Sequence, residues 1–404
     1  MPSPEINTGY YDSANVDLGK KLISKDYLMT VYPQIANQLI TPELWVWGLS
    51  NNGQLGNNQI FQRNTPVTTS TGVANWKQVA GGYRHTAAIK TDGTLWTWGR
   101  NFYGQLGTNT TVNRSIPVTT FAGETNWKQV SAGREHTAAI KTDGTLWTWG
   151  DNSYGQLGDN TIITRSTPVT TFAGGTNWKQ VSSGYNHISA IKTDGTLWTW
   201  GRNNFGHLGD NTLIIRSTPV TTFAGGTNWK QVAGGYRHTA AIKTDGTLWT
   251  WGDNSYGKLG INNTTTRNTP VTTFAGGTNW KQVSCGRDHT AAIKTDGTLW
   301  TLGRNFNGRL GDNTTTNRST PVTTFAGGTN WKQVAGGNSH TAAIKTDGTL
   351  WTWGLNGYGH LGDNTATNRS TPVTTFAGGT NWKQVACGGY HTVAIKTSDD
   401  LLGI

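Results

Sequence analysis

Charge is scarce in this chain: only 14 % of its 404 residues are Asp, Glu, Lys or Arg. No apolar run approaches the ~18 residues a membrane-spanning helix needs, and the amino terminus lacks the charged and apolar regions of a secretion signal. There are just two cysteines, Cys285 and Cys387. They stand at equivalent points two repeats apart, beyond the ~7 Å Cα reach of a disulfide. They read as free thiols at a position often held by glycine, so no oxidising compartment is required. Helix formers are also thin. What abounds is Gly (54), Trp (20), Thr and Val, a mixture that reads as all-β. The formal net charge of +11 comes from Lys and Arg scattered alike through the repeats. With no basic run, nucleic acid is not an expected partner.

Length alone suggests two or three domains, but internal repetition overrides it. The motif Leu-Trp-x-Trp-Gly places its Leu at 44, 95, 146, 197, 248, 299 and 350, an interval of 51 residues throughout. One copy departs, with Leu302 in place of the second Trp. A histidine keeps the same interval at His85, His136, His187, His238, His289, His340 and His391. Within one repeat, four strand candidates follow each other: Trp76 to Ala80, His85 to Lys90, Thr94 to Trp98 and Pro117 to Phe121. Thr91-Asp92-Gly93 between two of them is a hairpin signal. Four strands per unit of this length make a propeller blade.

The expectation is therefore an all-β, closed seven-bladed β-propeller over 41–404, four antiparallel strands per blade. The first repeat supplies only the last two strands of a blade and the final repeat only the first two. Residues 41–69 and 381–397 are expected to combine into the closing blade. Residues 401–404 have no assigned place. Alternation puts Trp96 and Trp98 on one strand face, and the small pair Ala87-Ala88 lets a neighbouring blade approach. Each buried indole removes roughly 150–250 Å² from water, about 4–6 kcal/mol before entropy costs. Residues 1–40 form a separate arm, too apolar for a mere linker. Its Tyr10, Tyr11, Leu22, Tyr27 and Tyr32 are candidates for attachment to the propeller or to a larger assembly.

Tyr83-Arg84-His85-Thr86 and Gly104-Gln105-Leu106-Gly107 carry a resemblance to the regulator of chromosome condensation repeat family, over about residues 41–404. The resemblance implies a seven-bladed propeller. Members acting in nucleotide exchange carry an inserted wedge, whereas the spacing here never slips. Light-sensing members place tryptophan in a Gly-Trp-Arg-His-Thr motif, where this chain has Tyr83 and Tyr236, so the likeness does not extend to that activity. The close identity of the repeats and the leader from Asp17 to Leu28 also look like virion proteins of tailed bacteriophages.

Variation between repeats clusters at two places. One precedes the histidine: Tyr83-Arg84, Arg134-Glu135, Tyr185-Asn186, Tyr236-Arg237, Arg287-Asp288, Asn338-Ser339 and Gly389-Tyr390. The other follows Trp-Gly: Arg100, Asp151, Arg202, Asp253 and Arg304, with Phe102 and Phe205 close by. Antiparallel geometry puts both on one face of the disc, opposite the uniform Thr-Asp-Gly turns. Tyr, Arg and Phe on an exposed face are typical binding anchors, so these residues form the expected partner-binding face. No catalytic constellation, cofactor motif or metal site is expected. The histidines read as structural, and Asp159-Asn160 falls short of a calcium ligand set. The expectation is a non-enzymatic binding or structural protein. It would be carried on a phage virion, meeting a protein or surface-glycan partner or other virion proteins. The alternative is an intracellular regulator of the chromatin or nucleotide-exchange type.

Overall fold

The computed structural model describes residues 42–70, 75–121 and 123–397. The arm, with Tyr10, Tyr11, Leu22, Tyr27 and Tyr32, and residues 401–404 lie outside the described residues. Seven four-stranded antiparallel sheets form a seven-bladed propeller, with no helix among the described residues.

Strands β1 (Pro42–Gly48) and β2 (Arg63–Thr68) precede the first full blade, built from β3 (Trp76–Gly81), β4 (His85–Lys90), β5 (Leu95–Gly99) and β6 (Arg114–Thr119). The same quartet recurs up to β26 (Arg369–Thr374), and the chain then adds β27 (Trp382–Cys387) and β28 (His391–Thr397). Between β4 and β5, Asp92 Oδ1 accepts from the Thr94 amide at 2.9 Å and from its hydroxyl at 2.7 Å. That Asx turn closes the hairpin and explains why Thr-Asp-Gly-Thr recurs. The last sheet has the order β2-β1-β28-β27. Pro42 to Gly48 pairs with Thr397 to His391 without a register slip, so both ends of the ring share one blade.

Adjacent blades are joined in three layers. Around the channel, the first strand of each blade would leave an open edge, a hazard for any sheet. Gln78 covers the next blade's edge. Its Oε1 accepts from the Val130 amide at 3.0 Å and its Nε2 donates to the Val130 carbonyl at 3.2 Å. The β-bulge between Trp76 and Gln78 interrupts the regular register just before this side chain. Between the blades lie the indoles. Trp76 meets Trp96 edge-on at 6.3 Å and Trp98 at a tilt at 6.1 Å, and Trp98 is wholly buried. Trp98 Nε1 donates to the carbonyl of Gln54 in the preceding blade, 3.0 Å away. Its equivalent Trp149 rests so closely on the preceding loop that a Cβ on Gly107 would come within 2.8 Å of the indole nitrogen.

The third layer explains the histidines, six of which bond a threonine on the next blade's strand. His85 Nε2 lies 3.0 Å from Thr137 Oγ1, and that hydroxyl donates to the Gln105 carbonyl at 2.8 Å. The carbonyl can only accept, so the threonine oxygen is left to accept from His85 Nε2–H. This fixes the tautomer. The ring lies so close to Gly82 that a Cβ there would come within 2.3 Å of it, the physical reason for glycine ahead of the histidine. Full burial lowers the His85 pKa to about 3, helped by His136 and His391, so the imidazole stays neutral.

Candidate functional site

Each blade sends the loop between its first two strands, and the longer loop between its last two, to the same end of the disc. The first loop begins with glycine, and the residue after it faces the channel. Tyr83, Arg134, Tyr185, Tyr236, Arg287, Asn338 and Gly389 thereby surround a mouth cavity of about 130 Å³. A backbone bond from Tyr83 N to Gly133 O at 3.0 Å ties one blade's loop to the next.

Within the mouth, aromatic rings and guanidinium groups pack together. The Tyr83 ring meets Tyr185 at 5.7 Å and Tyr390 at 5.0 Å, and Tyr185 meets Tyr236 at 4.3 Å, all edge-to-face. The Tyr83 and Tyr390 hydroxyls are 2.8 Å apart. Burial first, then the Tyr390 hydroxyl, pushes the Tyr83 phenol well above its ordinary range. Arg84 lies over Tyr390 and Tyr83, Arg134 over Tyr185 at 4.7 Å, and Arg287 over Tyr236 at 4.9 Å. Arg237 is shared between Phe205 at 4.3 Å and Tyr236 at 4.6 Å. Such contacts each contribute about 0.5–2 kcal/mol and hold the long side chains in place.

Five expected contact residues lie beneath this surface instead. Glu135, Asp151, Asn186, Asp253 and Asp288 are only 2–5 % exposed. Glu135 takes a 2.8 Å ion pair from Arg100 and a short bond from Gln105 Nε2. Burial outweighs the nearby guanidinium charges and raises its pKa. Asp151 accepts from Gln156 Nε2 at 2.8 Å. Lys258, fully buried, sits between Asp253 at 2.9 Å and Asp288 at 3.0 Å. Arg304 and Arg287 approach Asp288 more loosely, at 3.5 and 3.7 Å. These acids brace the loops from below; a polar residue in a loop had looked like a surface residue.

Outside the mouth, Phe102 is 64 % exposed with Arg100 beside it at 5.7 Å, and Arg202 stacks on Tyr154 at 4.9 Å. Asn338 offers its carbonyl to Arg309 Nη1 at 3.1 Å. Burial, then the charge of Arg304, lowers the Arg309 pKa to about 10. The Lys258 cluster went unremarked in the sequence, although Lys258 is the lysine among glutamines, histidines and arginine at its repeat position. The aspartate thought to hint at calcium is consumed internally. Asp159 accepts from Asn152, Thr161 and Arg165. The opposite end of the disc is uniform, and there Lys90 lies between Trp76 and Trp96 at 5.1 and 4.1 Å.

A ring of seven near-identical blades, differentiated at one end only, defines the class as a seven-bladed β-propeller with one specialised face. Residues 43–394 match the RCC1-like domain model, and the chain belongs to that family. It is 35 % identical over 286 residues to the ultraviolet-B receptor UVR8 of Arabidopsis thaliana, covering 69 % of this chain and 64 % of the receptor. It is 30 % identical over 373 residues to the Mus musculus E3 ubiquitin-protein ligase HERC2, covering 89 % of this chain but 8 % of the ligase. The solved yeast RCC1 (Prp20) bound to Kap60 shares the fold, with a TM-score of 0.78 at 21 % identity and 90 % coverage of both chains. The family resemblance read from the repeats is thus shown, whereas these relatives lend nothing to a phage virion.

Proposed function

We propose that this chain is a non-catalytic binding module of the regulatory kind, and that a protein partner docks on its variable face. The observation that carries this reading is the confinement of variation. The blades repeat one sequence, yet the residues that differ gather on the loops of one end of the disc, an inner set of them around the channel mouth. Drift on loops would be spread over both ends of the disc. The relatives support the reading through their class. They include a receptor and a ubiquitin ligase, and the solved yeast RCC1 is held in a complex with Kap60. They fit a regulator better than a virion component.

The test is affinity capture from extract of the source material, followed by cross-linking mass spectrometry. The full chain is compared with a variant in which Tyr83, Tyr185 and Tyr236 are serine. The expected result is a partner cross-linked to the mouth loops and lost from the variant. Equal capture, or cross-links confined to the Thr-Asp-Gly end, would overturn it. Co-migration with intact particles would restore the virion reading.

A further inference from the structure

We propose that the mouth captures an acidic segment of the partner protein, seating its carboxylates among the mouth arginines; this rests on the binding-module reading above. The charge on this face is layered. Glu135, Asp151, Asp253 and Asp288 are buried beneath the loops, while the side chains of Arg287 and Arg304 remain 39 % and 33 % exposed. A ligand approaching the mouth therefore meets guanidinium groups before any carboxylate.

Those guanidinium groups also have unused donors. The Nε–H groups of Arg84, Arg134 and Arg237 are buried and have no acceptor among the described residues, and that of Arg287 has only the loose Asp288 contact at 3.7 Å. Their charge is held in place by aromatic faces, which accept no conventional hydrogen bond. A carboxylate can meet the exposed part of such a guanidinium, as at Arg287, with the geometry it favours.

Part of the positive charge beyond the mouth is already matched. On the outer loops, Arg165, Arg216, Arg318 and Arg369 are each paired with an aspartate at 2.8–3.0 Å. At the opposite end, Lys90 and its equivalents lie against indoles. Arg134 and Arg287 line a cavity of about 130 Å³, room for one or two side chains. Asn338 and Gly389, the smallest residues of the inner ring, adjoin each other and open the way in. An acidic peptide side chain fits this cavity, and the oligonucleotide is the comparison that tests it.

The test measures fluorescence anisotropy of a fluorescein-labelled glutamate-rich octapeptide with the full chain. Its glutamine counterpart and a labelled oligonucleotide serve as comparisons. The expected result is salt-sensitive binding of the glutamate peptide alone, weakened at least tenfold by Arg134→Gln with Arg287→Gln. The control Lys77→Gln with Lys230→Gln should leave it unchanged. Near-ultraviolet circular dichroism of the indoles checks that each variant keeps the fold. Equal binding of the glutamine peptide, indifference to the arginine substitutions, or tighter binding of the oligonucleotide would each overturn the proposal. If the glutamate peptide fails while a captured partner still cross-links to the mouth, only the acidic chemistry falls. If those cross-links are missing too, the binding-module reading falls with it.

Discussion

His136 faces Ile188 where each of the other six ring histidines faces a threonine of the next blade. The imidazole is fully buried, and neither of its nitrogens has a partner. The Gln156 carbonyl has likewise lost its hydroxyl donor and keeps the Trp200 indole at 3.0 Å. Of the seven blade junctions, this one lacks the histidine–threonine bond.

Ile188→Thr should therefore stabilise the protein. Two buried hydrogen bonds return, each contributing about 1 kcal/mol, against roughly 1 kcal/mol of lost apolar burial. A net gain of about 1 kcal/mol is expected in the denaturation midpoint. A lower midpoint would show that packing of the isoleucine outweighs the missing pair.

Acid should unfold the ring abruptly. Burial lowers the folded pKa to about 3 for His85, His187, His289 and His391 and to about 4 for His136 and His360. Unfolded histidines take up protons below about pH 6.5, so the unfolded chain binds more protons in the interval beneath. The stabilisation is complete above that pH and is lost as pH falls toward the folded pKa. Each histidine contributes about 1.4 kcal/mol per pH unit in this window. Tryptophan fluorescence followed against pH should show cooperative unfolding between about pH 6 and 4. A chain still folded at about pH 3.5 would contradict the assignment.

Leu302 leaves one blade junction without its indole. The Lys258 carbonyl there receives only the Thr290 hydroxyl, at 2.8 Å, whereas the equivalent Gln105 carbonyl also receives Trp149 Nε1 at 2.9 Å. Trp149→Leu should cost about 2–4 kcal/mol through lost burial and the lost donor. Leu302→Trp should gain a smaller amount. Thermal melts of the two variants moving in the same direction would refute the comparison.

Lys258 neutralises two buried carboxylates. Lys258→Met strands Asp253 and Asp288, and a broken buried pair costs about 3–5 kcal/mol. Lys258→Gln should cost less than half as much, because Gln156 already serves Asp151 in this way. Urea denaturation separates the two; equal losses would mean that the charge, and not the hydrogen bonds, holds the junction.

Much of this was legible in the residues themselves. Asp92 with Thr94 declares its turn locally, and the fixed beat of Leu95 and His85 counts the blades. Periodicity also conceals. A Gln78 repeated in every blade could bond its own sheet or its neighbour's, and identical copies carry no information to choose; its partner Val130 lies 52 residues on. The ion pairs were hidden for a related reason. Lys258 and Asp288 are 30 residues apart, and only the convergence of two loops from adjoining blades brings them together. Glu135 and Asp253 read as surface residues because loops usually are, but here the long loops fold back over them.

The shared closing blade also has a consequence during synthesis. Trp47 donates its indole N–H to the His360 carbonyl, 313 residues further along, and β1 waits for β28 to complete its sheet. A growing chain can stack its central blades one by one as they emerge from the ribosome. β1 and β2 can pair with each other early, but the β1 edge that receives β28 must stay open until translation of the ring is almost finished, so it needs shielding for longer than an edge of any other blade.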